Sequence, residues 1–205
     1  TNRLAFYRNN GLTWTKSLVN MGAREAHVWI QAVSEDGSKI VYEHSTASQL
    51  PRYYLAEVTL SGHELQLTNA IEICKLNKKL KDKSIVASEI YRWRGYQNDE
   101  VNGMLYYPAD YDPGKRYPLV LSIHGGPTGV DRDRCLERWY TYPQIIALRG
   151  AFVLKPTYQG SSHHGQAFME SIKGNYYEPE LEDIIKGIDA LVADGKVDST
   201  QLGVM

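Results

Sequence analysis

His124-Gly125-Gly126-Pro127 is the stretch of this 205-residue chain best equipped for chemistry. It follows directly on Leu119-Val120-Leu121-Ser122-Ile123, a nearly continuous apolar run of the kind a strand needs when both of its faces are covered. A loop at the C-terminal end of a strand in an open α/β sheet faces the ligand crevice. Paired glycines there put no side chain between backbone N–H groups and a reacting carbonyl. Such N–H groups can stabilise the oxyanion that develops in acyl transfer, where one donor is worth about 3 to 4 kcal/mol. A tight structural turn would use the same residues, so the motif by itself leaves both readings open.

Other residue types that could do chemistry are scattered. His163 and His164 are adjacent, a spacing that chelates a metal on neither a strand nor a helix, and a solvated loop is the simpler expectation. Cys74 and Cys135 lie far apart without CxxC or Cys/His spacing, so neither a disulfide framework nor a zinc site is indicated, and no cofactor or metal is called for. The clusters Lys75 to Lys83 and Asp131-Arg132-Asp133-Arg134 are expected to be solvated faces.

With 23 basic against 24 acidic residues the net charge is -1, and 42% of residues are hydrophobic. That is the profile of a globular protein able to bury a core, with no overall field to attract nucleic acid or an anionic membrane. No run approaches the roughly 20 apolar residues of a membrane-spanning helix, and Thr1-Asn2-Arg3 opens no secretory signal. A soluble protein is expected, cytoplasmic or periplasmic. Small polar or peptide-like partners remain open, with no nucleic acid and no membrane expected.

Two kinds of pattern divide the chain into residues 1–87 and 88–205. The first part alternates apolar and polar residues between turns. Ala26 to Val33, Lys39 to Glu43, Tyr53 to Leu60 and Glu64 to Thr68 read as four successive strands, with Asp36-Gly37 and Ser61-Gly62-His63 at hairpin turns. One β-propeller blade, or a generic meander, has that pattern. From Ser88, strands alternate with helices, which predicts an α/β sheet. Glu89 to Arg94 and Gly103 to Tyr107 form an opening antiparallel pair. Tyr142 to Leu148 reads as a short helix, and Ala151 to Lys155 as another buried strand. Glu180 to Asp194 reads as a helix with Leu181, Ile184, Ile185, Ile188, Leu191 and Val192 on one face. Acidic Glu178, Glu180, Glu182 and Asp183 crowd its dipole-positive end, and Gly195 stands just past its end. Leu202 to Met205 begins a last apolar strand.

The run Tyr117-Pro118-Leu119-Val120-Leu121-Ser122-Ile123-His124-Gly125-Gly126-Pro127 resembles the opening of the catalytic domain in the prolyl oligopeptidase family of serine peptidases, especially its acylaminoacyl-peptidase and dipeptidyl-peptidase-like branches. Ile146 to Leu154 is similar to the family's helix, glycine turn and strand. Thr157-Tyr158-Gln159-Gly160-Ser161-Ser162, followed by Gly165, resembles its Asn-Tyr-Arg-Gly-Ser segment. Asp183 to Met205 resembles the helix and strand that lead to a Gly-x-Ser-x-Gly nucleophile elbow, and Ser34 to Ile40 and Gln66 to Asn69 resemble propeller repeats.

The resemblance implies a fold of α/β class, the N-terminal half of an α/β-hydrolase domain preceded by one to two blades of a propeller. The implied triad order is serine, aspartate, histidine, yet no serine here stands in a Gly-x-Ser-x-Gly setting. The chain is therefore expected to be a fragment that stops just before the nucleophile, inactive by itself, with the elbow encoded directly after Met205. By the same match Gly126, less strongly Gly125, becomes an oxyanion donor. His124 becomes a residue that orients the loop, because the family's base follows its nucleophile. Pro127, Tyr158 and Gln159 join the site loop, with Gln159 standing where the family commonly has arginine. Tyr158 reads first as packing. The resemblance implies that the intact parent hydrolyses short or N-acylated peptides through an acyl-enzyme, with a peptide substrate as its partner and an oligomer possible. An esterase or lipase of the same fold, whose loop is His-Gly-Gly-Gly, and a non-catalytic binding module are the competing readings.

Overall fold

The computed structural model describes residues 3–24, 27–62, 64–74, 76, 85–126, 128–135 and 142–205. Pro127, His63, Ala26 and the Lys75 to Lys83 cluster apart from Leu76 lie outside them. The chain forms two compact units, Thr1–Lys83 with Asp133–Cys135, and Ser84–Arg132 with Leu136–Met205.

In the first unit, β1 (Ala5–Asn9) and β2 (Trp14–Leu18) make a hairpin, and β3 (Val28–Val33), β4 (Lys39–Thr46), β5 (Gln49–Ser61) and β6 (Glu64–Cys74) make an antiparallel meander in sequence order. One blade has this pattern; no closed ring of blades is found among the described residues. The β3–β4 turn works through Gly37, whose φ of 70° a side chain would resist, and Asp36, which accepts hydrogen bonds from the Ser34 and Ser38 hydroxyls and the Ser38 N–H. Alternation buries Val28, Ile40, Tyr42, Tyr54 and Ala56 on one face, where the Tyr42 and Tyr54 rings stack 5.4 Å apart.

The Asp131 to Arg134 cluster is not the solvated face expected of it. In the first unit Asp133 pairs with His27 at 3.1 Å and accepts the Ala47 N–H, while Arg134 meets the buried Glu43 at 2.7 Å and lies 4.1 Å over the Trp29 ring. In the second unit Asp131 pairs with Lys155 at 2.7 Å. Alternating charge says nothing about partners far away in sequence, and each of these side chains finds one. Cys74 and Cys135 are unbridged.

The second unit is built on β7 (Ser88–Arg94), β8 (Glu100–Tyr106), β9 (Tyr117–Leu121), β10 (Phe152–Thr157) and β11 (Val197–Val204), in the order β11-β9-β10-β8-β7. β7, β8 and β10 pair antiparallel; β10 with β9 and β9 with β11 are parallel. Among the described residues three α-helices occupy the connections: α1 (Pro143–Ala147), α2 (Gln166–Glu170) and α3 (Glu178–Ala193). Val101, Leu105, Leu119, Phe152, Leu154 and Val197 form the core, in keeping with the apolar runs that covered strands require.

The long helix α3 starts two residues before its expected beginning. It ends as expected: Gly195, at φ 74°, donates to the Val192 carbonyl and Lys196 to that of Leu191, a Schellman closure. Its buried stripe differs from the apolar one. Glu180, Asp183, Ile184, Gly187 and Leu191 face inward, whereas Leu181 and Ile185 are exposed. Polar anchoring turns the helix this way. Asp183 accepts the N–H groups of Tyr96 and Gln159 at 2.6 and 2.8 Å, its carbonyl accepts the Trp93 indole N–H, and Gly187 leaves room for that ring.

Candidate functional site

The loop after β9 sits at the C-terminal end of a parallel strand, as expected. Beside it, Met205 is hydrogen-bonded to Leu121 and Ile123, so the end of β11 flanks the approach to His124. Gly126 has φ 134°, and a Cβ there would come within 2.8 Å of the Gly129 nitrogen; Gly125 has open space around it. The N–H groups of both glycines donate to no acceptor among the described residues. Both line a cleft of about 580 Å³ together with Ile123, Tyr158, Tyr176, Tyr177, Glu180, Leu181 and Ile184. Free donors at the wall of an apolar cleft are the arrangement that oxyanion stabilisation needs.

His124 is clamped on three sides. Its ring stacks on Tyr158 with centroids 4.5 Å apart, its Nε2 meets the Ser161 hydroxyl at 3.1 Å, and its carbonyl oxygen accepts the Tyr158 hydroxyl. Ser161 and His124 thus have the hydrogen bond of a nucleophile and base, but Ser161 is fully buried and no substrate carbonyl can reach it. The contact instead fixes the ring, and with it the start of the glycine loop. Tyr158 does more than pack: burial first, then the charges of Glu180 and Asp131, push its phenol up to about 12. It therefore stays protonated at neutral pH and remains a donor to the loop.

Gln159, next along, is turned away. It is buried and its side-chain amide donates to Asp99 at 3.1 Å, so it lines no part of the cleft. His163 and His164 lie on an exposed loop; Arg132 is 2.8 Å from the His163 Nε2, and burial followed by nearby cations lowers the pKa of His163. Among the described residues no cluster of three or more His, Cys, Asp or Glu side chains is disposed to hold a metal, and no helix is long and apolar enough to cross a membrane.

Sequence reasoning missed another wall of the cleft. Tyr176 and Tyr177 come to it through a turn in which Tyr177 takes φ 78°, and Glu180 through the first turn of α3. Tyr177 stands at the N-terminus of α3 without making a side-chain cap, and its positive φ leaves no trace in the sequence, so no local signal announced this wall.

Residues 138–205 match the model of the prolyl oligopeptidase family. The chain is 37% identical over 92 residues to dipeptidyl-peptidase 4 of Giardia intestinalis, covering 45% of this chain and 12% of that protein. It superposes on acylaminoacyl peptidase of Pyrococcus horikoshii with a TM-score of 0.70 at 19% identity, over 97% of this chain and 29% of that one. A puromycin-hydrolyzing peptidase of Mycobacterium tuberculosis gives 0.73 at 22% identity, over 98% and 30%. These two likenesses show a shared fold across nearly the whole chain, and the chain spans less than a third of the length of each of these three proteins.

Proposed function

We propose, from the match of residues 138–205 to the prolyl oligopeptidase family, that the chain is part of a longer serine-type peptidase of that family that hydrolyses short or N-acylated peptides through an acyl-enzyme. In this reading the second unit belongs to an α/β-hydrolase catalytic domain, and the meander of the first unit is a blade of a propeller. The observation that carries it is the pair of N–H groups at Gly125 and Gly126, unengaged among the described residues, in a cleft at the C-terminal end of β9.

Chemically, this chain contributes the electrostatic half of acyl transfer. A peptide carbonyl bound in the cleft gains negative charge on its oxygen as a nucleophile attacks, and the Gly126 N–H meets that charge. Ser161 and Tyr158 hold His124, which holds the loop, so the donor is already oriented before attack. The attacking serine and its aspartate and histidine partners are not among these 205 residues in any Gly-x-Ser-x-Gly setting. The chain alone should therefore not turn over an acyl-peptide substrate, whereas the longer polypeptide carrying it should be labelled by a fluorophosphonate and release the acyl group. Phosphonate-sensitive turnover by the 205-residue chain would contradict this division of roles. Failure of the longer polypeptide to label would overturn the peptidase reading itself.

A further inference from the structure

Glu180 is 9% exposed, and its Oε2 has no hydrogen-bond partner among the described residues. A buried carboxylate oxygen without a partner carries a desolvation cost, so an orphan of this kind calls for an explanation. Its position supplies one. Glu180 lines the same cleft as the glycine loop, with Ile184 one turn along the same helix and Tyr158, Tyr176 and Tyr177 also in the lining. Among the described residues no lysine or arginine lines the cleft; Lys186 pairs with Glu182 at 2.6 Å and Lys155 with Asp131 at 2.7 Å. Tyr176 and Tyr177 are left 57% and 80% exposed at the rim. Apolar walls, exposed tyrosine faces and one uncompensated carboxylate make a combination that suits an organic cation on an alkyl stem.

We propose that this cleft binds a basic side chain, lysine or arginine, of a peptide, with the ammonium or guanidinium on Glu180 and the stem along Ile184 and the tyrosine rings. The proposal deepens the peptidase reading, on which it rests only for the ligand being a peptide. An anion would meet the Glu180 charge unfavourably, and a wholly apolar side chain would fill the walls but leave Oε2 unpaired.

The test is calorimetric titration of the longer polypeptide carrying this chain with N-acetyl-lysine methylamide and its uncharged counterpart N-acetyl-norleucine methylamide. The lysine probe should bind about tenfold tighter or better, equivalent to about 1.4 kcal/mol. Glu180→Gln, which conserves volume, should bring the lysine probe down to the norleucine value and leave the norleucine probe unchanged. Equal affinities in the unsubstituted polypeptide, no measurable lysine binding, or a lysine preference that survives Glu180→Gln would each overturn the proposal. The comparison of probes on the unsubstituted polypeptide needs no variant to fold. Norleucine methylamide with a free α-amine forms a third arm, and tighter binding of it than of the lysine probe would mean that the cleft takes a peptide N-terminus, sinking the side-chain assignment. Fluorophosphonate labelling of the longer polypeptide does not involve Glu180, so failure of the peptidase reading is seen separately.

Discussion

Gly125 and Gly126 line the same cleft but differ in what a side chain would do to them. At Gly126 a methyl would meet the Gly129 and Thr128 nitrogens at 2.8 and 3.0 Å in a backbone conformation that only glycine takes easily; at Gly125 it would meet nothing. Gly126→Ala should therefore destabilise the second unit by about 1–3 kcal/mol, a cost that Gly125→Ala escapes, as read from urea unfolding. If the longer polypeptide is the proposed peptidase, Gly126→Val should slow its acylation by about 100-fold to 1,000-fold with little change in KM. A raised KM at normal kcat would instead assign the loop to binding. Asp36 supplies a second test at this scale, one that depends on pH. The Ser34 hydroxyl, then the Ser38 N–H and hydroxyl, hold its carboxyl down at about 2, below the usual value near 3.9. A folded-state pKa lowered in this way stabilises above about pH 4 and loses that contribution as pH falls through about 2. The melting temperature of Asp36→Asn should fall below that of the parent chain at pH 6, and the gap should close between pH 4 and pH 2.

Helix α3 shows at the scale of an element what was legible and what was not. Its extent and its Gly195 closure follow from local chemistry, a repeating apolar pattern and a residue free to take positive φ, and both were readable. The fate of its acidic end was not. Glu178, Glu180, Glu182 and Asp183 look alike as favourable charges at a helix N-terminus, yet Glu178 accepts Asn175 and Glu182 pairs with Lys186 at the surface, Asp183 is fully buried, and Glu180 faces the cleft. The burial of Asp183 goes with its bonds to Trp93, Tyr96 and Gln159, which lie far off in sequence, and no local pattern reports that. The glycine loop was legible for the opposite reason: the strand before it and the backbone freedom it needs are both local. Asp183 also carries a prediction. Each of its oxygens accepts one backbone N–H, so Asp183→Asn would set an amide N–H₂ against a buried donor. A loss of about 1–3 kcal/mol is expected on urea unfolding. An unchanged midpoint would mean that these two bonds do not hold α3 to the sheet.

At the scale of the whole molecule, the edge strand β11 governs behaviour in solution. It pairs with β9 on one side, and among the described residues no strand pairs with its other side. Leu202 is 46% exposed and Val204 68%, so the free edge carries apolar side chains beside unpaired N–H and C=O groups. Natural edges of this kind are guarded by lysine, proline or a bulge. β11 has an irregularity between Val197 and Leu202, but from Leu202 to Val204 its register with β9 is regular, and no charged residue stands there. Two copies can extend their sheets through this edge, gaining backbone hydrogen bonds and covering the two apolar side chains at once. The 205-residue chain should therefore self-associate, with a weight-average mass that rises with concentration in sedimentation equilibrium. Val204→Lys should return it to monomer, because pairing would then have to desolvate an ammonium at the seam. A chain that stays monomeric at high concentration would show that the edge is protected in some other way.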